Sequence, residues 1–326
     1  MDKINLKHTD LNVSRICLGA MTFGSQTDEA AARRMIDLCS EKGINFLDTA
    51  NIYNKGAAEE MLGRILGDRG GSRRRDFVLA SKVRSKMGDA PDQAGLSRPA
   101  ILRAIDESLS RLHTDYLDLY YLHLPDYSVP IEESLDAMNE VVKLGKVRYI
   151  ASSNYSAWQM TEMFWIADRK GYQAPWAAQP MYNLIARGIE QEYLPMCKQF
   201  GVSNIVYNPL AGGLLTGKHK REAPIPGTRF DKNKMYLDRY WHPADFDAVE
   251  QLGQIAQKAG RSLLSMSLNW LYHHTATDSI ILGASRVEHL EQNLAALGDG
   301  PLTAETLQAC DQVWAELRGP TPKYNR

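Results

Sequence analysis

Short apolar runs that stop on small or polar residues recur along this chain, and amphipathic stretches fill the intervals between them. The runs are ICLG (16–19), INFLD (44–48), FVLASK (77–82), YLDLYYLH (116–123), VRYIASSN (147–154), AAQP (177–180), NIVYNP (204–209) and SIILG (279–283). Apolar runs of this length, bounded by turn signals, read as buried strands. The intervals read as helices. RPAILRAIDESLSRL (98–112) sets Ile101, Ile105, Leu109 and Leu112 on one face, and IEESLDAMNEVVKLGK (131–146) closes at Gly145. Eight strands, each followed by a helix, result; the first seven begin roughly 25–40 residues apart, the length of one βα unit.

Such alternation builds a parallel sheet, either open and doubly wound or closed as a (β/α)8 TIM barrel. The count of eight selects the barrel. So does the first strand-to-helix turn, GAMTFG (19–24), which lacks the G-x-G-x-x-G spacing that cradles a pyrophosphate. Before the first run, INLKHTDLNVS (4–14) reads as a β-hairpin that closes the bottom of the barrel. The interval from 209 to 279 is too long for one unit. It holds a Gly/Pro-rich, charged loop (211–244) and two helical patterns, DFDAVEQLGQIAQKAG and SLLSMSLNWLYHH; a long loop at a barrel's C-terminal face is usually functional. TAETLQACDQVWAELR adds one more helix near the C-terminus. The expectation is a single barrel domain over residues 1–326.

Composition narrows the function classes. A formal net charge of −1 without a basic stripe leaves a nucleic-acid role unsupported. Cys17, Cys39, Cys197 and Cys310 are far apart, which argues against a disulfide framework or a zinc site and fits a reducing compartment. The start MDKINLKHTD is polar and reads as no signal peptide, and no apolar run reaches the ~20 residues that cross a bilayer. The expectation is a cytoplasmic protein without a membrane partner, and nothing in the sequence sets an oligomeric state.

The polar residues at the strand ends carry the chemistry. The second run stops at Asp48, with Tyr53 close behind on the following loop; the third ends in Lys82 and the fourth in His123. In a barrel these strands are neighbours, so four polar side chains converge on one mouth. A free tyrosine titrates near pH 10, a poor acid at neutrality. A lysine ammonium beside it stabilises the phenolate, an aspartate keeps the lysine charged, and a histidine opposite can hydrogen-bond a carbonyl oxygen. Together they describe a proton donor aimed at a carbonyl that receives a hydride, and hydride transfer requires a nicotinamide or a flavin. Other motifs fail. GGLLTGKH continues with His219 where a phosphate-binding loop needs Ser or Thr, and His273–His274 lack metal-ligand spacing, so no metal is expected. Trp158, Trp165 and Trp270 lie in helical patterns and are expected in core or groove positions.

LDTANIY, ASKV, LYYLHLPD, GKVRYIASSNYS, AAQPMYNLI, NPLAGGLLTGK and GASRVEHLEQNL stand in the order of the corresponding segments of the aldo-keto reductases, which the chain resembles over nearly its whole length. The resemblance implies that Asp48, Tyr53, Lys82 and His123 form the catalytic tetrad, with Tyr53 as general acid in reduction and base in oxidation, and that NADP(H) lies extended across the C-terminal face. It assigns the nicotinamide carboxamide to Ser153, Asn154 and Gln179, ring stacking to Tyr207, and the ring's far side to Gly19 and Met21; Asp48 also reaches the ribose. Asn208, Pro209, Leu210 and Gly213 meet the pyrophosphate, with backbone N–H groups from Leu210 and Gly213, Lys218 nearby and Arg229 as a clamp.

After the eighth strand, Gly283 ends the run and RVEHLEQNL opens a helix, whose start favours an anion. By resemblance the adenosine 2′-phosphate lies there, beside Ser285 and Arg286, with His289 one turn on and Gln292 and Asn293 at the adenine. NADPH is therefore the expected cofactor, with NAD(H) kept open by Glu288. Departures from the family pattern are Ala151 and Asn54, where glycine is usual, and Leu124 in HLPD. The expected partner is a small carbonyl substrate, walled by Phe23, Tyr53, Tyr127, Tyr236 and Trp241. Aromatic walls suit sugars, aryl aldehydes and steroids alike. The alternative is a nicotinamide-binding regulatory or sensor subunit of low turnover, such as the potassium-channel β-subunits on the same scaffold; the barrel's start close to residue 1 leaves no extension to act on such a partner.

Overall fold

A computed structural model describes residues 1–67 and 72–320. Contacts gather the chain into two compact units. The first holds Met1–Pro180, Glu192–Val206 and Asp278–Leu290; the second holds Met181–Gln191, Tyr207–Thr277 and the chain from Glu291 on.

Ten strands are defined among the described residues, all in the first unit: β1 (Lys3–Asn5), β2 (Asn12–Ser14), β3 (Ile16–Gly19), β4 (Phe46–Asp48), β5 (Val78–Val83), β6 (Leu117–Leu122), β7 (Val147–Ser153), β8 (Ala177–Gln179), β9 (Ser203–Val206) and β10 (Ser279–Gly283). β3 to β10 are parallel and close into a barrel through the pairing of β10 with both β9 and β3. Its strands read as continuous apolar runs because both faces are covered. α1 (Glu29–Glu41), α2 (Ala57–Leu66), α3 (Ser72–Arg75), α4 (Arg98–Arg111), α5 (Ile131–Lys143), α6 (Ala157–Lys170) and α7 (Tyr193–Phe200) alternate with them. The fold is the (β/α)8 TIM barrel expected from the alternation.

Local chemistry starts and stops these helices. The Asp28 carboxylate accepts the Ala31 N–H at the start of α1, Ser156 and Gln159 form a capping box on α6, and Gly171 closes α6 in the left-handed region at φ 63°. The antiparallel β1–β2 hairpin lies against the N-terminal ends of the barrel strands. The Lys7 N–H donates to Ser203 Oγ at the start of β9, the Asn45 side chain just before β4 accepts from the Ser14 N–H, and His8 stacks on Trp176 at 4.1 Å. The hairpin thus closes the bottom of the barrel, as expected.

The second unit contains α8 (Lys234–Tyr240), α9 (Pro243–Lys258), α10 (Leu263–His274) and α12 (Ala304–Arg318), with α9 packed along α12. α11 (Val287–Ala296) begins in the first unit and ends in the second. The stretch 211–244 is not all loop: it folds into a 3₁₀ turn, Ala211–Thr216, and α8. The Asn233 side chain caps α8, and Tyr236 and Tyr240, one turn apart, bury on its inner side. Flanking charges hide that spacing in the sequence. Trp270 is buried, whereas Trp158 and Trp165 are 64% and 59% exposed, contrary to expectation. The two lie seven residues apart and so share a helix face, while Met160, Met163, Phe164 and Ala167 supply the buried face of α6.

Candidate active site

Three consecutive strands, β4 to β6, bring the tetrad together at the C-terminal end of the barrel. Asp48 ends β4, Lys82 is the penultimate residue of β5, and His123 follows the last residue of β6. Tyr53 opens a short 3₁₀ turn after β4, in which Asn54 (φ 50°) and Lys55 (φ 56°) adopt left-handed conformations. Asn54 tolerates this as the expected glycine would, and its amide fastens the turn by donating to the carbonyls of Met21 at 3.1 Å and Phe23 at 2.6 Å.

Lys82 is fully buried, and its ammonium donates to an Asp48 carboxylate oxygen, to the Thr49 carbonyl at 2.7 Å and to the Tyr53 hydroxyl at 3.3 Å. Burial alone would lower its basicity; the charges and hydrogen bonds of Asp48 and Tyr53 outweigh burial and raise it. The other Asp48 oxygen accepts from Gln179 Nε2 at 2.8 Å. The rings of Tyr53 and His123 meet edge to face at 6.1 Å. Burial, reinforced by the charges of Lys82 and Arg84, drives the His123 imidazole down to about 3, so the ring is neutral at physiological pH. Its Nδ1 is buried with no partner among the described residues.

Hydrogen bonds continue around the rim. Asn154 Nδ2 donates to the His123 carbonyl and to Ser153 Oγ, both at 2.9 Å, and Ser153 Oγ donates to the Gln179 carbonyl at 2.9 Å. Ser153, Asn154 and Gln179 thus stand at the ends of β7 and β8 and reach the tetrad through Asp48 and His123. Gly19 pairs with Asp48 on one side and Gly283 on the other, and its missing Cβ would lie 2.8 Å from Ile281 Cγ2. Met21 is half-buried next to this edge. Beyond Gly283, the hydroxyls of Thr22 and Thr27 hold the Ala284 and Ser285 carbonyls. Ser285 Oγ lies 3.4 Å from His289 Nδ1, and Arg286 is exposed at the start of α11.

The remaining expected cofactor residues lie in the second unit. Tyr207 is half-buried, Asn208 and Pro209 are buried, and Leu210 leads into the 3₁₀ turn. The Gly213 N–H donates to the Leu210 carbonyl at 2.8 Å and is used within that turn. Gly213 instead contributes its φ of 109°, which disfavours side chains. Arg229 donates to the Tyr236 hydroxyl at 3.1 Å, and that hydroxyl donates to Asn208 Oδ1 at 3.3 Å, so two expected phosphate-side residues share one tyrosine. The buried Asn208 Nδ2 lacks a partner among the described residues. Lys218 and Gln292 are exposed, and Asn293 is buried. In the first unit, the paired amides at the strand ends suit a carboxamide; in the second, taken by itself, an unpartnered buried amide donor and the basic Arg229 suit a phosphate.

Among the aromatics expected to wall a pocket, Phe23, a residue of the β3–α1 loop, is fully buried. Tyr236 is likewise buried, packed within 3 Å of where a Gly212 Cβ would stand. Tyr127 is 84% exposed. Sequence reasoning missed the Thr49 carbonyl, the Gln179 contact to Asp48 and Arg84. It also missed Glu59, which is buried and accepts from Ser81 Oγ, beside Lys82, at 2.5 Å and from Arg111 at 2.8 Å. An acid on the inner face of α2, three residues after the Tyr53 turn, is the signal that would have found Glu59.

Among the described residues, no three His, Cys, Asp or Glu side chains cluster to hold a metal, and no helix is long and apolar enough to cross a membrane. The pattern that defines the Aldo/keto reductase family matches residues 15–315. The chain is 36% identical to human "Aldo-keto reductase family 7 member A3", covering 95% of this chain and 96% of that protein. It is 35% identical to rat "Aflatoxin B1 aldehyde reductase member 2", covering 95% and 87%, and 36% identical to an Arabidopsis thaliana "Probable voltage-gated potassium channel subunit beta", covering 95% of each. A family pattern over nearly the whole chain, on a closed barrel whose strand ends gather aspartate, tyrosine, lysine and histidine, establishes that this chain belongs to the aldo/keto reductase family of oxidoreductases.

Proposed function

We propose that the chain is an NADPH-dependent reductase that converts an aldehyde or ketone to its alcohol, reversibly, with Tyr53 as the general acid. The observation that carries this reading is the buried Lys82 ammonium, whose donors meet Asp48, the Thr49 carbonyl and the Tyr53 hydroxyl at once. A cation donating to a phenol oxygen stabilises the phenolate, and so eases transfer of the phenol's proton to a carbonyl oxygen. As the acceptor in that bond, Tyr53 keeps its own proton as a donor. Asp48 keeps the lysine charged. His123, held neutral by burial, orients the carbonyl oxygen by hydrogen bonding. When bound, the reduced nicotinamide supplies the hydride.

Ser153, Asn154 and Gln179 hold the carboxamide, and Gly19, Met21 and Tyr207 flank the ring. Asn208, Pro209, Leu210, Gly213, Lys218 and Arg229 serve the pyrophosphate. Gly283, Ser285, Arg286 and His289 serve the 2′-phosphate, and Gln292 and Asn293 the adenine. The exposed Arg286, with a guanidinium able to grip a phosphate in bidentate fashion, supports NADPH over NADH. The aldehyde reductases among the relatives support an aldehyde substrate. The Arabidopsis relative supports a second reading, a nicotinamide-binding regulatory subunit of low turnover.

One experiment addresses these readings. Wild type and Tyr53→Phe are titrated with NADPH and NADH by cofactor fluorescence, then assayed for multiple-turnover NADPH oxidation with sugars, aryl aldehydes and α-dicarbonyls. Tyr53→Phe is expected to lose roughly 10²–10⁴-fold in turnover, the usual worth of general acid catalysis, with NADPH still bound more tightly than NADH. Near-normal turnover by the variant would end the role of Tyr53. A wild type limited to a single turnover would favour the regulatory reading, and tighter NADH binding would reverse the cofactor preference.

A further inference from the structure

We propose that Asn54 is a positioning residue for the proton transfer: its side-chain amide holds a strained turn in the shape that keeps the Tyr53 hydroxyl on Lys82. The inference rests on the reductase reading. Tyr53 begins a 3₁₀ turn, Tyr53–Gly56, in which three successive residues stand in the left-handed region: Asn54 at φ 50°, Lys55 at φ 56° and Gly56 at φ 96°. Glycine takes that region freely and asparagine tolerates it, but as single residues; a lysine beside them there is strained. Backbone of this kind persists only where the surrounding structure over-determines it.

Two groups do so here. At the end of the turn, Arg111 of α4 packs so closely on Gly56 that a Cβ there would lie 2.9 Å from its Cδ, and the buried Glu59 fixes Arg111 by accepting from its Nε at 2.8 Å. At the start of the turn, Asn54 Nδ2 donates to the carbonyls of Met21 at 3.1 Å and Phe23 at 2.6 Å. The loop that supplies those carbonyls is itself rigid. The N–H groups of Ser25, Gln26 and Thr27 converge on the Thr22 carbonyl at 3.2, 3.1 and 3.0 Å, and the Ala20 N–H donates to the Asp48 carbonyl at 2.8 Å. Asn54 therefore ties the turn to a block anchored on the strand end that carries Asp48. What the tie protects is one contact. Lys82 is held by Asp48 and Thr49, so the turn is the partner that can drift, and the Tyr53 hydroxyl is the farthest of the three acceptors, at 3.3 Å. That is already the long end for an N–H···O bond, so a small displacement breaks it and weakens the stabilisation of the phenolate.

The test separates the amide from the backbone shape. Asn54→Gly and Asn54→Asp both suit the left-handed region, and both remove the donors. If asparagine served the backbone alone, both would match wild type. Instead, kcat for aldehyde reduction should fall at least ~10-fold in each, the scale of a lost hydrogen bond, while the NADPH Kd stays within about twofold. The rising limb of the alcohol-oxidation pH profile, which reports the phenolate base, should move to higher pH. A readout without turnover accompanies it: the tyrosinate absorbance of Tyr53, isolated in the cofactor-free protein by subtracting the matching Tyr53→Phe titration, should appear at higher pH in Asn54→Gly. Undiminished kcat in both variants would overturn the proposal. So would a loss of kcat that follows the urea midpoint while the pH profile and the tyrosinate titration stay in place. A wild type that reduces none of the sugars, aryl aldehydes and α-dicarbonyls sinks the reductase reading, whereas an unmoved tyrosinate titration sinks this inference alone.

Discussion

A lysine shut away from water remains charged only where each of its protons has an acceptor, and Lys82 meets that condition with a carboxylate, a backbone carbonyl and a phenol. Because Asp48 and Tyr53 raise its folded-state basicity above the ordinary lysine value, the stability it contributes is fully present below that value. It is lost only as pH rises through the folded one. Lys82→Met leaves Asp48 charged, buried and uncompensated, at a cost of about 3–5 kcal/mol, and should displace the alcohol-oxidation pH profile of the surviving enzyme to higher pH. An unchanged profile with substantial activity would count against the lysine's role. His123 has the opposite sign. Depressed from 6.5 to about 3, it contributes stability that is present above 6.5 and lost as pH falls toward 3. The same shift predicts no inflection near pH 6.5 in kcat/KM for reduction; a clear one that vanishes in His123→Asn would show that the ring titrates in the working range. Asp48, Lys82 and His123 were legible because each ends an apolar run. Arg84, whose charge acts on His123, was not, because RSK reads as a charged loop.

At the scale of elements, the strands were legible to within a few residues because parallel strands covered on both faces leave uninterrupted apolar runs. Two features were less so. α8 is short and sits among charges, so its pair of tyrosines carried no periodic signal. The outward face of α6 carries Trp158 and Trp165, and tryptophan in a helical pattern gives no sign of which face turns to the core. Helix-to-helix approach is another matter of register rather than residue type, and two glycines illustrate it. A Cβ on Gly63 of α2 would run into the backbone of Arg111 and Leu112 at the end of α4, atoms that cannot rotate away. A Cβ on Gly253, in the middle of α9, would meet nothing within 4 Å. Gly63→Ala should therefore destabilise by about 1–3 kcal/mol through overpacking. Gly253→Ala should stabilise by about 0.5–1 kcal/mol through helix propensity. Urea unfolding midpoints of the two variants should move in opposite directions, and a shared direction would mean that this approach of α2 to α4 does not limit packing.

For the whole molecule, the two ends of the barrel carry different burdens. Every tetrad residue lies at or just beyond the C-terminal end of a strand, and the β1–β2 hairpin lies against the N-terminal ends. Leu6, Leu11 and Val13 bury there, and Arg148 ties the hairpin to the barrel by holding Asp10 through both carboxylate oxygens at 2.7 and 2.8 Å while also pairing with the buried Asp118 of β6 at 2.7 Å. In barrels of this kind the bottom face serves stability and the top face serves chemistry. The division gives a prediction that crosses two variants with two measurements. Leu11→Ala removes a fully packed side chain and should cost about 2–5 kcal/mol, read as a lower urea midpoint. Since Leu11 lies in the hairpin at the N-terminal ends of the strands, opposite the mouth, its kcat/KM per folded molecule should stay within about twofold of wild type, as expected for sites too far apart to couple. Tyr53→Phe should do the reverse, losing turnover by orders of magnitude with a smaller fall in the midpoint, because the ring packing stays and only one of the three Lys82 acceptors goes. Activity lost in Leu11→Ala under conditions where the protein is fully folded would mean that strain at the bottom is transmitted along the strands to Lys82 and Asp48, and the separation of stability from chemistry would not hold for this barrel.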